Sequence, residues 1–373
     1  MKNAVIFFLI VMVSPCTVIS AQIRTAHYEI ITSGGSGDIY ALELEQRFAE
    51  YNKVFRFNPA LLTLPLKVRV FADKNAYDSY VAAALGSRKS GAVYLHYRNS
   101  ALRELVIHSG SAEEDFLVPH QAFIQFLRAF IPEPPPWIRE GFAVYFNTLK
   151  FDRSKGILVY EENLSWLETV KRSSFSAESV MRNAASFPNM QAFSWALVSF
   201  FMGGSDNYYR SLTDSFMVLS PPANAEENTR LLYERIILFN SIDVLTGDFT
   251  SYIAGKKTFA ELVEEGQQAY AAKNYSGAEE SFRKAAELRS GHYAPYYYLA
   301  LIAYENKKYS EAENFYKTAL DNGGERALIQ YARGINAAAA GGKTEAITFL
   351  EEAAAADSAK YKERCSELIK KLQ

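Results

Sequence analysis

Apolar and polar residues alternate over Gly91–His96 and Leu102–His108, which predicts two strands joined through Arg98-Asn99-Ser100. Upstream, Leu42, Phe48, Tyr51 and Phe55 recur at helical spacing and predict a helix packed on a sheet. Gly34-Gly35-Ser36-Gly37-Asp38 precedes that helix. It lacks the Lys-Ser/Thr ending of a phosphate loop and the spacing of a dinucleotide fingerprint, so it reads as a turn with Asp38 as the cap. Pro132, Pro134, Pro135 and Pro136 form a stiff connector between two apolar helices. From Asn163 to Phe249 the text is helical, broken at Gly203-Gly204-Ser205 and Ser220-Pro221-Pro222. The apolar run Ala192–Met202 is too short to span a bilayer and reads as a buried helix.

Beyond Phe259 a thirty-four-residue period sets in, with Gly266, Ala300 and Gly334 in register. Ala278, Ala312 and Ala346 follow it, as do Phe282, Tyr316 and Leu350, and Ala285, Ala319 and Ala353. Tyr275 and Tyr309 align as well, and Lys343 breaks that set. Small residues where helices cross, with a large one filling the gap, resemble the tetratricopeptide repeat. The resemblance implies three repeats starting near Phe259, Tyr293 and Ala327, closed by a solvating helix over Tyr361–Leu372. Their first helices would present Tyr270, Tyr297, Leu301, Tyr304, Tyr331 and Ile335 as a partner-binding face for a protein or peptide, or pack these residues against the preceding domain. Val263, Tyr297 and Tyr331 stand where a two-carboxylate clamp needs Lys, Arg or Asn, so an acidic C-terminal peptide is not the expected ligand.

Val118-Pro119-His120-Gln121-Ala122-Phe123-Ile124, followed by Trp137-Ile138-Arg139-Glu140-Gly141-Phe142-Ala143-Val144-Tyr145, resembles the active-site helices of gluzincin-type, peptidase-MA-like metallopeptidases. His27–Thr32 and Leu66–Phe71 look like the first strands of that domain, Ala41–Phe57 like its first helix, and Gln191–Val198 like a later one. The resemblance implies a thermolysin-like α+β fold, a small mixed sheet with a helical subdomain, ahead of the all-α repeat solenoid. The zinc motif itself is degenerate. Two His four apart on a helix grip zinc, with a Glu after the first as base. Here Gln121 replaces the Glu and Ile124 the second His, leaving only His120 and Glu140. An amide is no base near neutral pH. Losing a general base alone costs on the order of 10²- to 10⁴-fold in rate. The implied site is therefore catalytically dead, with no cofactor. The residues also read as a hydrogen-bonded core histidine at His120 and a carboxylate paired with a cation or capping neighbouring backbone at Glu140. Nothing in their spacing recruits His96 or His108.

The chain of 373 residues has room for two or three cored domains, and a net charge of −2 excludes a basic nucleic-acid footprint. Lys2, the apolar run Ala4–Val13 and small Ser20-Ala21 read as a secretory signal over residues 1–21. Cys16 offers a lipid-anchor alternative, for which Pro15 is a poor neighbour. Cleavage at Ala21 would leave Cys365 unpaired, without an intrachain disulfide or a membrane span. The expected organisation is an α+β subdomain over 22–150, a helical subdomain over 151–256 and repeats over 257–373. The expected function is a non-catalytic, envelope-associated or periplasmic bacterial scaffold. An active zinc metallopeptidase with a rearranged site is the alternative. A third reading is glycan binding by Trp137, Tyr145 and Trp195.

Overall fold

The computed structural model describes residues 21–33, 37–160 and 166–373. Residues 1–20 of the expected leader, Cys16 among them, and Gly34-Gly35-Ser36 lie outside them, whereas Ala21, its expected last residue, is described. Two compact units emerge, one from residues up to 161 with 173–250, the other from 162–172 with 251–373.

The first unit is built on strands β1 (Ala21–Arg24), β2 (Tyr28–Ser33), β3 (Leu66–Phe71), β4 (Ala92–Leu95) and β5 (Glu104–His108), in the order β1-β2-β3-β5-β4. The three inner strands run parallel, and antiparallel β1 and β4 form the edges. Ile30, Val68, Val70, Leu105, Val106 and Ile107 are buried, as the residues of covered parallel strands must be.

Helices α1 (Gly37–Phe55), α2 (Lys74–Leu85), α3 (Glu114–Phe130) and α4 (Pro136–Tyr145) accompany the sheet. Tyr40, Leu44, Phe48, Tyr51 and Phe55 form the buried stripe of α1. Leu42 is off that stripe and 46% exposed, contrary to its expected place in the core. Asp38 sits inside the first turn of α1 rather than capping it, where its charge complements the helix dipole. Tyr51 packs edge-on against Phe123 with ring centroids 5.3 Å apart, and Phe48 against Phe126 at 5.1 Å. Such pairs add about 0.5–1.5 kcal/mol each beyond burial and lock the register of α3.

A hairpin, β6 (Leu149–Asp152) with β7 (Ile157–Tyr160), follows ahead of the helical text expected from Asn163. Turn chemistry explains it. Asp152 Oδ1 accepts the Ser154 and Lys155 amides at 3.0 and 3.2 Å, and Gly156 takes φ 66°. Then come α5 (Leu167–Lys171), α6 (Ala177–Asn183), α7 (Met190–Gly203), α8 (Asp206–Ser215), α9 (Ala225–Phe239) and α10 (Ile242–Gly255). Residues 192–201 of α7 are buried on every side, as the apolar run predicts. Among the described residues, no helix is long and apolar enough to cross a membrane.

The second unit pairs α11 (Phe259–Ala271) with α12 (Tyr275–Leu288), α13 (Tyr293–Glu305) with α14 (Tyr309–Asp321), and α15 (Arg326–Ala339) with α16 (Lys343–Ala356). Helix α17 (Ser358–Leu372) ends it, starting three residues before the expected Tyr361 because Asp357 accepts the Lys360 amide. A Cβ on Gly266 would lie 2.7 Å from the Phe282 ring, and one on Gly334 equally close to Leu350. Ala300 and Tyr316 make the same small–large pair in the middle repeat. Helix α5 joins this unit through Lys171, 2.9 Å from Glu261.

Candidate functional site

Helices α3, α4 and α7 bring the motif residues together. Gly141 lets α4 approach α7 closely, since a Cβ there would stand 2.5 Å from the Ser194 carbonyl oxygen. That approach places Glu140 between His120 and Gln191. Glu140 Oε2 lies 3.4 Å from His120 Nε2 and accepts Gln191 Nε2 at 3.2 Å, while Oε1 accepts Arg139 Nε at 2.8 Å. Both His120 and Glu140 are buried. Burial pushes the Glu140 carboxyl up, but the His120 hydrogen bond and the Arg139 charge outweigh it and hold it at about 2. Glu140 is thus an ionised carboxylate with its partners in place. Buried His120 Nδ1 has no partner.

Gln121, Ile124 and Arg128 form the half-buried stripe on the next face of α3. Gln121 does not face His120's partners. Its Oε1 accepts the backbone amide of Tyr94 on edge strand β4 at 3.0 Å. His96 lies just past β4, 3.6 Å from Glu133. His108 lies beside Tyr77, with tilted rings whose centroids are 5.6 Å apart.

A gluzincin resemblance implies zinc, and the donor set does not fit it. Catalytic zinc needs three protein ligands. Here His120 and Glu140 are the two available donors, Glu140 is already claimed by Arg139 and Gln191, and Ile124 has no lone pair. Among the described residues no three His, Cys, Asp or Glu side chains gather into a metal site. Trp137 and Trp195 are 1% and 3% exposed, core residues closed to a glycan, and Tyr145 is half-buried.

In the repeat unit Tyr270, Tyr297, Leu301, Tyr304, Tyr331 and Ile335 are all half-buried. Each Tyr ring rests partly on its own unit: Tyr297 lies 6.2 Å from Tyr316, Tyr304 6.0 Å from Tyr309, and Tyr331 5.2 Å from Tyr361 of α17. Burial, then neighbouring Tyr298, Tyr361 and Tyr270, push the Tyr297 hydroxyl up to about 12. The tyrosines of successive first helices therefore share one neighbourhood, neutral and partly open. Cys365 is a buried free thiol in α17.

Arg128, Arg139 and Gln191 were not singled out from the sequence. The signal for Arg128 was its place one turn beyond Ile124 on the same stripe of α3.

No curated protein matches the chain. A family model described as tetratricopeptide repeat matches residues 269–334, from the end of α11 to the middle of α15, and the regular helix pairs on either side of that stretch extend the same architecture.

Proposed function

We propose that the protein is a non-catalytic scaffold, exported to the bacterial envelope, that holds a protein or peptide partner on its tetratricopeptide repeats. The observation carrying this reading is the set of half-buried apolar and aromatic side chains Tyr270, Tyr297, Leu301, Tyr304, Tyr331 and Ile335 on the first helices of the repeats. Aromatic side chains offer large contact area at small entropic cost, which is why they dominate binding hot spots. The contact of His120 Nε2 with Glu140 Oε2 at 3.4 Å and the amide at Gln121 support the non-catalytic half of the reading.

The test is crosslinking of the full chain in the cell envelope, comparing wild type with a Leu301→Ser, Tyr304→Ala variant, alongside metal analysis. The expected result is a defined partner lost in the variant while its circular dichroism is unchanged, and no zinc after zinc loading. Stoichiometric zinc that disappears in Glu140→Ala, together with peptide hydrolysis, would overturn it.

A further inference from the structure

Arg128 is a weakly partnered charge among the described residues of the first unit. Its side chain is only 13% exposed, yet its closest counter-charge is Glu133 Oε1 at 3.6 Å, beyond hydrogen-bonding distance. The same oxygen lies 3.6 Å from His96 Nε2. Two donors from different elements thus converge on one carboxylate without reaching it. His96 Nδ1 is buried and also unpartnered. Arg103 and Arg139 stand behind them, the first held by the Tyr97 carbonyl at 2.6 Å, the second by Glu140 at 2.8 Å.

The local field is positive. Burial, then the Arg139 charge, push the Arg128 guanidinium below its ordinary range, with Arg103 adding to them and Glu133 opposing. Burial, Arg128 and Arg103 likewise push His96 down to about 4 despite Glu133. A half-buried guanidinium whose fork no carboxylate fills is a ready partner for a planar or tetrahedral anion. Glu133, 46% exposed on the proline connector, marks where that anion sits.

We propose that Arg128 and His96, backed by Arg103 and Arg139, form an oxyanion-binding site beside the end of strand β4. Its ligand is a planar carboxylate at a chain end or free phosphate. Lateral pairing of a strand along β4 is a poorer fit, because Gln121 already takes the Tyr94 amide. A ligand arriving end-on displaces Glu133 and meets the open fork of Arg128 bidentately.

The experiment is calorimetric titration of the full chain, at low salt, with N-acetyl-dialanine, with its C-terminal amide, and with inorganic phosphate. At least one of the two anions should bind and the amide should not. Binding of the dipeptide acid alone assigns the site to chain ends; binding of phosphate alone assigns it to the inorganic ion. Arg128→Met should weaken binding about tenfold or more, the worth of a charged hydrogen-bond pair. Glu133→Gln, at a side chain 46% exposed, should tighten it by removing the internal competitor. Failure of both anions to bind wild type and Glu133→Gln overturns the proposal, as does binding undiminished in Arg128→Met. Should that variant not fold, Glu133→Gln decides: affinity that fails to rise overturns the site.

Discussion

Gln121 accepts the backbone amide of Tyr94 through Oε1 at 3.0 Å, and this amide points away from the sheet. The direction follows from pairing. His108 donates to the Gly91 carbonyl at 2.7 Å, so Gly91, Val93 and Leu95 face β5 and Tyr94 faces outward. An outward amide on an edge strand is the group another chain would pair with. Helix α3 closes its own sheet edge, and does so with the residue standing where the metallopeptidase motif has its general base.

Removing that acceptor should open the edge. Gln121→Ala is expected to cost about 1 kcal/mol and to speed hydrogen exchange at the Tyr94 amide, whereas Gln121→Glu, still an acceptor, should preserve protection. Exchange followed by mass spectrometry checks it, and unchanged protection in Gln121→Ala would sink the idea.

Glu140 is a buried carboxylate that contributes to acid stability. Its folded value of about 2 lies below the ordinary 4.5, so the folded state binds the proton less tightly than the unfolded chain. The stabilisation is complete above 4.5 and is lost as pH falls toward 2, on the order of 2–3 kcal/mol. Glu140→Gln should be less stable at neutral pH and should lose less on acidification. Urea midpoints from pH 7 to pH 3 measure this; parallel curves for the two proteins would refute it.

Gly141 sits where α4 touches α7. With the Ser194 carbonyl 2.5 Å and Val198 Cγ2 2.7 Å from an added Cβ, backbone must move to admit even a methyl group. Gly141→Ala should destabilise by about 1–3 kcal/mol and disturb the Gln191–Glu140 bond one turn away. Thermal denaturation provides the test, and a melting point equal to wild type would contradict the close approach.

The repeat register was legible because each small–large pair, such as Gly266 with Phe282 or Gly334 with Leu350, recurs at one spacing and is satisfied by neighbouring helices. Local pattern was enough. Strand β3 coincides with the Leu66–Phe71 stretch that the family resemblance set as a strand, its buried Leu66, Val68 and Val70 alternating with half-exposed partners. The β6–β7 hairpin escaped because its strands are four residues each and its signal is the Asp152–Gly156 turn, not a periodicity. At the site, His120, Gln121, Ile124 and Glu140 stood out as motif positions. What they bond to did not, because Tyr94 and Gln191 arrive from distant elements whose approach only tertiary packing decides.

The repeats also hold a backbone strain that one substitution relieves. The first and second repeats place Lys273 and Lys307 at the turn between paired helices with φ 56° and 60°, and the third places Gly341 there with φ 86°. In all three the next amide, of Asn274, Lys308 or Gly342, bonds back to the carbonyl of Ala269, Ala303 or Ala337 at 2.8–2.9 Å. The geometry is therefore set by the repeat, and only glycine meets it without a Cβ penalty of about 1–2 kcal/mol. Glycine also enlarges the unfolded ensemble, which offsets part of the gain. Lys307 is exposed, so its side chain has little packing to lose. Lys307→Gly should stabilise the protein by roughly 0.5–1 kcal/mol, and Gly341→Lys should destabilise it by a similar amount. Calorimetric melting of both variants checks the pair. Loss of stability in Lys307→Gly would mean that the lysine holds the turn through its side chain, and that the third repeat's glycine answers a different need.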